Sequence, residues 1–285
     1  MITTQIADKI FQLNPDNFVN TALQYYRHQC MNSPFYRQYL EIIAAHNVSV
    51  ESLTQIPFLP IQFFKTHRIN TEQVALHRDA KHLYFESSGT TGQVSSHHEV
   101  PDSVLYEKSF GAAFDLFYGD VSEYCICALL PSYLERGHSS LVYMCDRLIK
   151  NSRHPASNFY LYDHKELYHC LQSMEASAQK TLLIGVTYAL LDFAEAFPVR
   201  LQHTLVMETG GMKGRRREMI REEVHAVLRE QFNVPSVHAE YGMTELLSQA
   251  YSAGDGLFKC PPWMKVLVRD VNDPFQISEA GRGVL

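Results

Sequence analysis

The chain has 285 residues and is 46% hydrophobic, enough for a substantial core in one large domain or two smaller ones. Its 25 Lys and Arg against 31 Asp and Glu leave a formal charge of -6, which argues against nucleic acid or an anionic membrane as the main partner and favours small-molecule chemistry. The start, "MITTQIADKIFQLNPDNF", has no basic leader before an apolar block, and the most apolar later window, "TLLIGVTYALLDFAEAF", carries Asp192 and Glu195, so a cytoplasmic protein without a membrane span is expected.

In chain order, residues 16–45 show helical periodicity, with a break near "NSP" that predicts two helices. "IPFLPIQFFKTHRI" follows, with two prolines among apolar residues, and predicts an extended connector packed on the core. Beyond it, β-rich runs near 82–86, 124–130, 181–185, 203–207 and 235–239 alternate with helical stretches near 101–118, 138–150, 164–178, 187–197 and 214–231. That alternation predicts an α/β fold with a mostly parallel sheet flanked by helices, in which ligands collect at the carboxyl ends of the strands. The organisation expected is 1–80 for the amino-terminal helices and connector, 81–260 for an α/β core, and 261–285 for a β-rich end. That end, "MKVLVRDVNDPFQISEAGRGVL", reads as strand, Asn-Asp-Pro turn, strand and a Gly-rich turn into a strand that stops at once, so truncation is expected.

The six cysteines are scattered apart from the C-x-C of Cys125 and Cys127, which fits neither zinc spacing nor a disulfide framework, so reduced core residues are expected. Fourteen histidines include no H-x-x-x-H or H-x-H pair, and the His97-His98 dipeptide reads as part of a polar loop.

Three segments carry chemistry. "SSGTTG" (Ser87, Ser88, Gly89, Thr90, Thr91, Gly92) suits phosphate, because glycines let the backbone approach closely while N–H groups and hydroxyls donate to anionic oxygens; it also suits a plain turn. No lysine follows, so it is not the P-loop fingerprint. "EYGMTE" at 240–245 follows a short strand, and its Glu245 would face the phosphate loop across the strand-end rim. Two unit charges ~4 Å apart at an effective dielectric near 20 repel by ~4 kcal/mol. Magnesium between them removes the conflict and needs only one or two protein carboxylates. The competing reading of the same residues is a helix start, with Thr244 near the cap and Glu245 in the first turn. "METGGMKGRRREM" predicts a strand end, a glycine pair able to lie flat against a planar base, then a basic helix whose Arg215, Arg216 and Arg217 form a solvated face.

"SSGTTG", "GGMKG" and "YGMTE", in this order and spacing, resemble the adenylate-forming superfamily of acyl and aryl ligases. "LLPSYLERGHSSLVYM", "ETGGMKGRRRE" and "YGMTELLSQAY" are most similar to the acyl-protein synthetases of the LuxE family, over residues 20–285. The resemblance implies a fold of the adenylate-forming large-domain type, ATP and Mg2+ as cofactors, and activation of a carboxylic, fatty acid as acyl adenylate followed by transfer to a thiol. It implies that Ser87 to Gly92 cradle phosphates, that Gly210, Gly211 and Tyr241 border adenine, that Thr244 contacts the α-phosphate, and that Glu245 holds the metal. Tyr133 and His138 are the substrate contacts it implies, and an acyl-reductase or acyl-carrier protein the partner. The resemblance also implies that residues 81–260 are the nucleotide-binding core, and that the lysine of a small carboxyl-terminal domain, the ribose-binding aspartate and the acceptor cysteine are expected beyond the last residue here, so none of the six cysteines is assigned as nucleophile.

Three alternatives stay open on sequence. A coenzyme A ligase of the phenylacetate type shares a similar phosphate loop, and a non-catalytic nucleotide-binding protein would retain the fold. A serine hydrolase would use "GHSSL", which lacks the closing glycine of a nucleophile elbow, with Leu141 in its place. Phe63, Phe64, Phe114, Phe117 and Tyr118 read as core residues or as the lining of an acyl tunnel.

Overall fold

The computed structural model describes residues 9–71, 79–87, 94–130, 138–211, 217 and 219–284. The chain forms two compact units. One comprises residues 1–85, 94–106 and 260–285; the other comprises 86–93 and 107–259.

In the first unit, two helices form where the periodicity predicts them. Helix α1 (Pro15–Asn32) starts at Asn14, whose side chain accepts from the N–H groups of Asp16 and Asn17, with Pro15 in the first turn, where its missing N–H costs nothing. Ser33 then ends α1 and caps α2 (Pro34–Ile42), so the "NSP" break is a shared hinge residue. Tyr36, Tyr39 and Leu40 of α2 form a buried cluster with Tyr26, Cys30 and Phe63 packed against it. The connector is strapped to it by the Tyr36 hydroxyl donating to Pro57 O (2.8 Å) and that of Tyr39 to Phe58 O (3.2 Å), with a short 3-10 helix at Ile61–Lys65.

Strand β1 (Leu83–Glu86) does not join the main sheet. It pairs with β2 (His97–Val100) in a separate two-stranded sheet. The expected polar loop at His97 and His98 is therefore strand, and His97 stacks on Tyr84 with ring centroids 5.6 Å apart. Period-2 patterning marks a strand but leaves its partner open, which is why the run near 82–86 forms a strand yet lies outside the expected parallel sheet.

The second unit is the α/β layer. Six strands lie in the order β4-β3-β5-β6-β7-β8: β3 (Cys125–Leu129), β4 (Asn158–Phe159), β5 (Thr181–Gly185), β6 (Thr204–Glu208), β7 (His238–Tyr241) and β8 (Ala250–Ser252). All neighbours are parallel except β7 and β8. Strands β3 and β5 are buried throughout, as a parallel sheet covered on both faces requires. Helix α3 (Ser103–Tyr118) runs from the first unit into this one; α4 (Ser140–Ser152), α5 (His164–Ala176), α6 (Thr187–Ala196) and α7 (Arg221–Phe232) follow. The step from β3 out to β4 runs opposite to all later steps, so right-handed crossovers put α4 on one face and α5, α6 and α7 on the other. Contacts agree: Cys170 of α5, Thr187 of α6 and Arg221 of α7 all reach side chains of one face of the sheet. Tyr118 of α3 reaches His238 on the opposite face (3.4 Å).

The predicted basic helix begins later than expected. Residues 217, 219 and 220 are not helical and α7 starts at Arg221, where Glu222 and Glu223 favour a helix amino terminus and the Glu223 carboxylate accepts from the Ile220 N–H (3.2 Å). Arg217 is exposed, as a solvated face requires, and Arg215 and Arg216 lie outside the described residues. Near the carboxyl end, β9 (Val268–Arg269) and β10 (Ile277–Ser278) pair antiparallel around the expected Asn-Asp-Pro turn, held by the Asp270 carboxylate accepting from Asn272 and Asp273 N–H. Among the described residues no helix is long and apolar enough to cross a membrane.

Candidate site at the strand-end rim

Neighbouring parallel strands β6 and β7 end side by side, Glu208 in register with Ala239. At the β6 exit, Gly210 and Gly211 adopt φ of 75° and 90°, a region that side-chain-bearing residues rarely enter, so glycine is required at both positions. Their carbonyls accept from the first N–H groups of α6, Thr187 (3.2 Å) and Tyr188 (3.4 Å), which pins the turn to a helix end. Glu208 holds the turn from below. Its carboxylate accepts from the Gly210 N–H (2.6 Å), the Thr187 hydroxyl (3.0 Å) and Arg221 Nε (3.1 Å), and His225 Nε2 lies 3.7 Å away, an ion-pair rather than a hydrogen-bond distance. Burial is the largest single influence on Glu208 and opposes ionisation, but His225, Gly210, Arg221 and Thr187 together hold its carboxyl below the usual value.

At the β7 exit the pattern reverses. Glu240 is 8% exposed and points to the opposite face of the sheet from Glu208. Burial, reinforced by the Glu208 charge, pushes its pKa up to about 8. Tyr241 follows, its hydroxyl 3.0 Å from Met243 Sδ and its ring edge-on to Phe258, centroids 6.1 Å apart. Arg221 links the two exits, since its guanidinium also lies over Phe258, 4.9 Å from the ring centroid. Thr244 and Glu245 form a turn closed by the Leu246 N–H donating to Met243 O (3.1 Å), and the chain proceeds to β8 without a helix. This corrects the helix-start alternative for "GMTE" and leaves Glu245 half-buried on the rim.

The remaining predicted site residues divide. Ser88, Gly89, Thr90, Thr91, Gly92 and Tyr133 lie outside the described residues. Ser87 is described and half-buried, and the N–H of Glu86 before it donates to His138 O (2.8 Å), so the start of the "SSGTTG" loop is tied to the segment between β3 and α4. His138 itself is exposed. Ser139 does not resemble an elbow nucleophile, because it caps α4 by accepting from the Val142 N–H (3.3 Å) and stands well beyond the end of β3. Phe114, Phe117 and Tyr118 pack as core against Tyr124 and Tyr251. A cleft of about 570 Å³ opens at the opposite, amino-terminal ends of β5 and β6, lined by Tyr124, Lys180, His203 and Asn233 among others, and contains none of the predicted site residues.

Sequence reasoning missed Glu208, Arg221 and Glu240. The signal for Glu208 was present, an acid closing an apolar strand directly before two glycines, whereas its donors come from helices 21 residues before and 13 residues after it. Chemically, the rim offers a side-chain-free glycine turn, an aromatic side chain, a threonine and a half-buried carboxylate from two adjacent strand ends. No protein-family model matches the chain, and no curated protein matches it.

Proposed function

We propose that the chain activates a carboxylic acid at the expense of ATP, forming an acyl adenylate, and passes the acyl group to a thiol in the manner of acyl-protein synthetases. The observation that carries this reading is the placement of Gly210 and Gly211 beside the Tyr241 to Glu245 turn, at the carboxyl ends of neighbouring strands of one parallel sheet. Such rims are where α/β sheets collect nucleotides. In the reaction, a carboxylate oxygen bonds to the α-phosphorus, the bridging oxygen to the β-phosphorus departs with pyrophosphate, and the acyl carbon then transfers from the phosphate oxygen to sulfur.

Within this reading Gly210, Gly211 and Tyr241 border the adenine, Thr244 donates to the α-phosphate, and Ser87 opens the phosphate loop that continues to Gly92. One half-buried carboxylate on the rim fits magnesium, a hard cation that needs only one or two protein carboxylates, so Glu245 is the residue that would hold it. When bound, the ion neutralises phosphate charge as the carboxylate approaches. The Glu208 and Arg221 pair acts one layer behind, by fixing the glycine turn. The finer expectations, a fatty acid as substrate and an acyl-reductase or acyl-carrier partner, belong to the same proposal.

The test is acid-dependent exchange of labelled pyrophosphate into ATP, run over aliphatic acids of increasing length and over aryl acids. Exchange that rises with aliphatic length is expected of protein that includes the lysine-bearing segment of that family. For such protein, no exchange with any acid refutes the proposal as an enzyme assignment, and ATP binding alone points to a non-catalytic nucleotide binder. For the 285-residue chain by itself, weak or absent exchange with retained ATP binding is expected. Glu245→Gln should weaken Mg2+-dependent ATP binding by about tenfold or more while shifting Tm by less than about 2 °C, since the residue is only half-buried and a near-isosteric change there should stay within about 0.5 kcal/mol.

A further inference from the structure

Cys125 and Cys127 alternate along β3, so both side chains leave the same face of the sheet. Helix α5 lays Cys170 over that face. The three sulfurs all lie within 4.8 Å of one another, and Cys127 Sγ is 3.8 Å from Cys170 Sγ. Bonded sulfurs would stand about 2.05 Å apart, so this pair is two free thiols. Thiolates sharing one metal ion at about 2.3 Å are separated by about 3.8 Å in tetrahedral and about 4.0 Å in trigonal geometry. The observed spacing is therefore close to that of a bound set.

We propose that Cys125, Cys127 and Cys170 form a binding site for a soft, thiophilic metal ion with a filled d shell, Zn(II) or Cu(I), between β3 and α5. Sulfur donors with no carboxylate in the group select such ions over magnesium or calcium. Cu(I) is satisfied by three thiolates, whereas Zn(II) completes its shell with a solvent donor. Cys125 and Cys127 are fully buried at 0% exposure and Cys170 is half-buried, so the α5 side is where an ion and that donor enter. The site occupies the first and middle residues of β3, Cys125 and Cys127, rather than its carboxyl end, and stands independently of the ligase reading.

The experiment titrates the full chain, reduced and metal-free under anaerobic conditions, with Zn(II) against a chromophoric chelator and with Cu(I) against a Cu(I)-selective one. One equivalent should bind per chain. Affinity should fall by about a hundredfold or more in Cys127→Ser and Cys170→Ser, since even outer-sphere changes cost 10- to 100-fold, and should be unchanged in Cys30→Ser and Cys260→Ser. The ion retained more tightly assigns the site. Equal binding by wild type and Cys127→Ser, or a reduced wild type that binds neither ion, overturns the proposal and leaves the cluster as packed core thiols. Should either variant fail to fold, mass-spectrometric alkylation of the wild type decides: the ion should protect Cys170 at least tenfold, and equal labelling with and without it refutes the site.

Discussion

Two glutamates one strand apart, Glu208 at the end of β6 and Glu240 near the end of β7, are both buried, yet the fold holds one charged and the other neutral near pH 7. Glu208 meets three donors and a nearby imidazole, and stays ionised despite burial. Glu240 faces the other side of the sheet with no hydrogen bond to its carboxyl among the described residues, so burial and the charge of Glu208 raise its pKa to about 8. Burial alone does not set the charge state of a carboxyl; the supply of donors from neighbouring helices does. The consequence is directional: the β6 exit is a fixed, charged anchor beneath the glycine turn, whereas the β7 exit can take up or release a proton close to neutral pH.

Removing the anchor has the largest expected effect. Glu208→Ala strips Arg221, Gly210 and Thr187 of their common acceptor and should cost about 3 kcal/mol at pH 7, discounted because Arg221 is 41% exposed and can rehydrate. That lowers Tm by roughly 6 to 12 °C, read by calorimetry. Because its folded pKa is depressed, this stabilisation is present above the ordinary value of 4.5 and lost as the pH falls through the folded value, so the two proteins should converge in acid. Glu240→Gln should act with the opposite sign. A raised folded pKa makes the wild type lose stability as pH rises from about 4.5 to about 8. The variant should therefore show a flatter profile and a gain of about 1 to 2 kcal/mol at pH 9 that vanishes below pH 4.5. An unchanged pH profile would mean that folding does not shift the Glu240 carboxyl from its ordinary value, and the contrast between the two exits would fail.

Much of the fold was legible because its signals are local. The run "TLLIG" marked β5 at the residues observed, and "NSP" marked the hinge between α1 and α2. What was not legible depends on partners distant in the chain. The run near 82–86 is a strand, as its pattern says, but its pairing with β2 rather than the main sheet is a tertiary choice. "GMTE" has the composition of a helix start, yet the chain continues from its turn into the antiparallel strand β8, whose Ala250 and Tyr251 are buried. The glycine pair was readable as a special turn, while the charge states of Glu208 and Glu240 were not, since they depend on Thr187, Arg221 and the face each side chain takes. Cys170 joins the C-x-C of β3 from 43 residues away, a separation that no spacing rule for metal ligands anticipates.

The smallest effect separates the two exits most cleanly. A Cβ added to Gly242 would lie 2.5 Å from Glu240 Oε1, and the next two nearest atoms are the Cδ and Oε2 of the same carboxyl. Gly242 is not among the glycines with positive φ, so alanine meets no left-handed backbone penalty there and the closest obstacle is the Glu240 carboxyl. Displacing that buried carboxyl should cost Gly242→Ala about 1 kcal/mol. In a Glu240→Ala background the obstacle is gone, and the same substitution should become neutral or stabilise by about 0.4 kcal/mol through the reduced entropy of the unfolded chain. The double-mutant cycle, read by chemical denaturation, should thus give a coupling of about 1 kcal/mol. Additive effects would place the Glu240 carboxyl away from Gly242 and remove the close packing that keeps it dry. The parallel cycle between Gly242→Ala and Glu208→Ala should be additive within about 0.5 kcal/mol, because the two side chains leave opposite faces of the sheet.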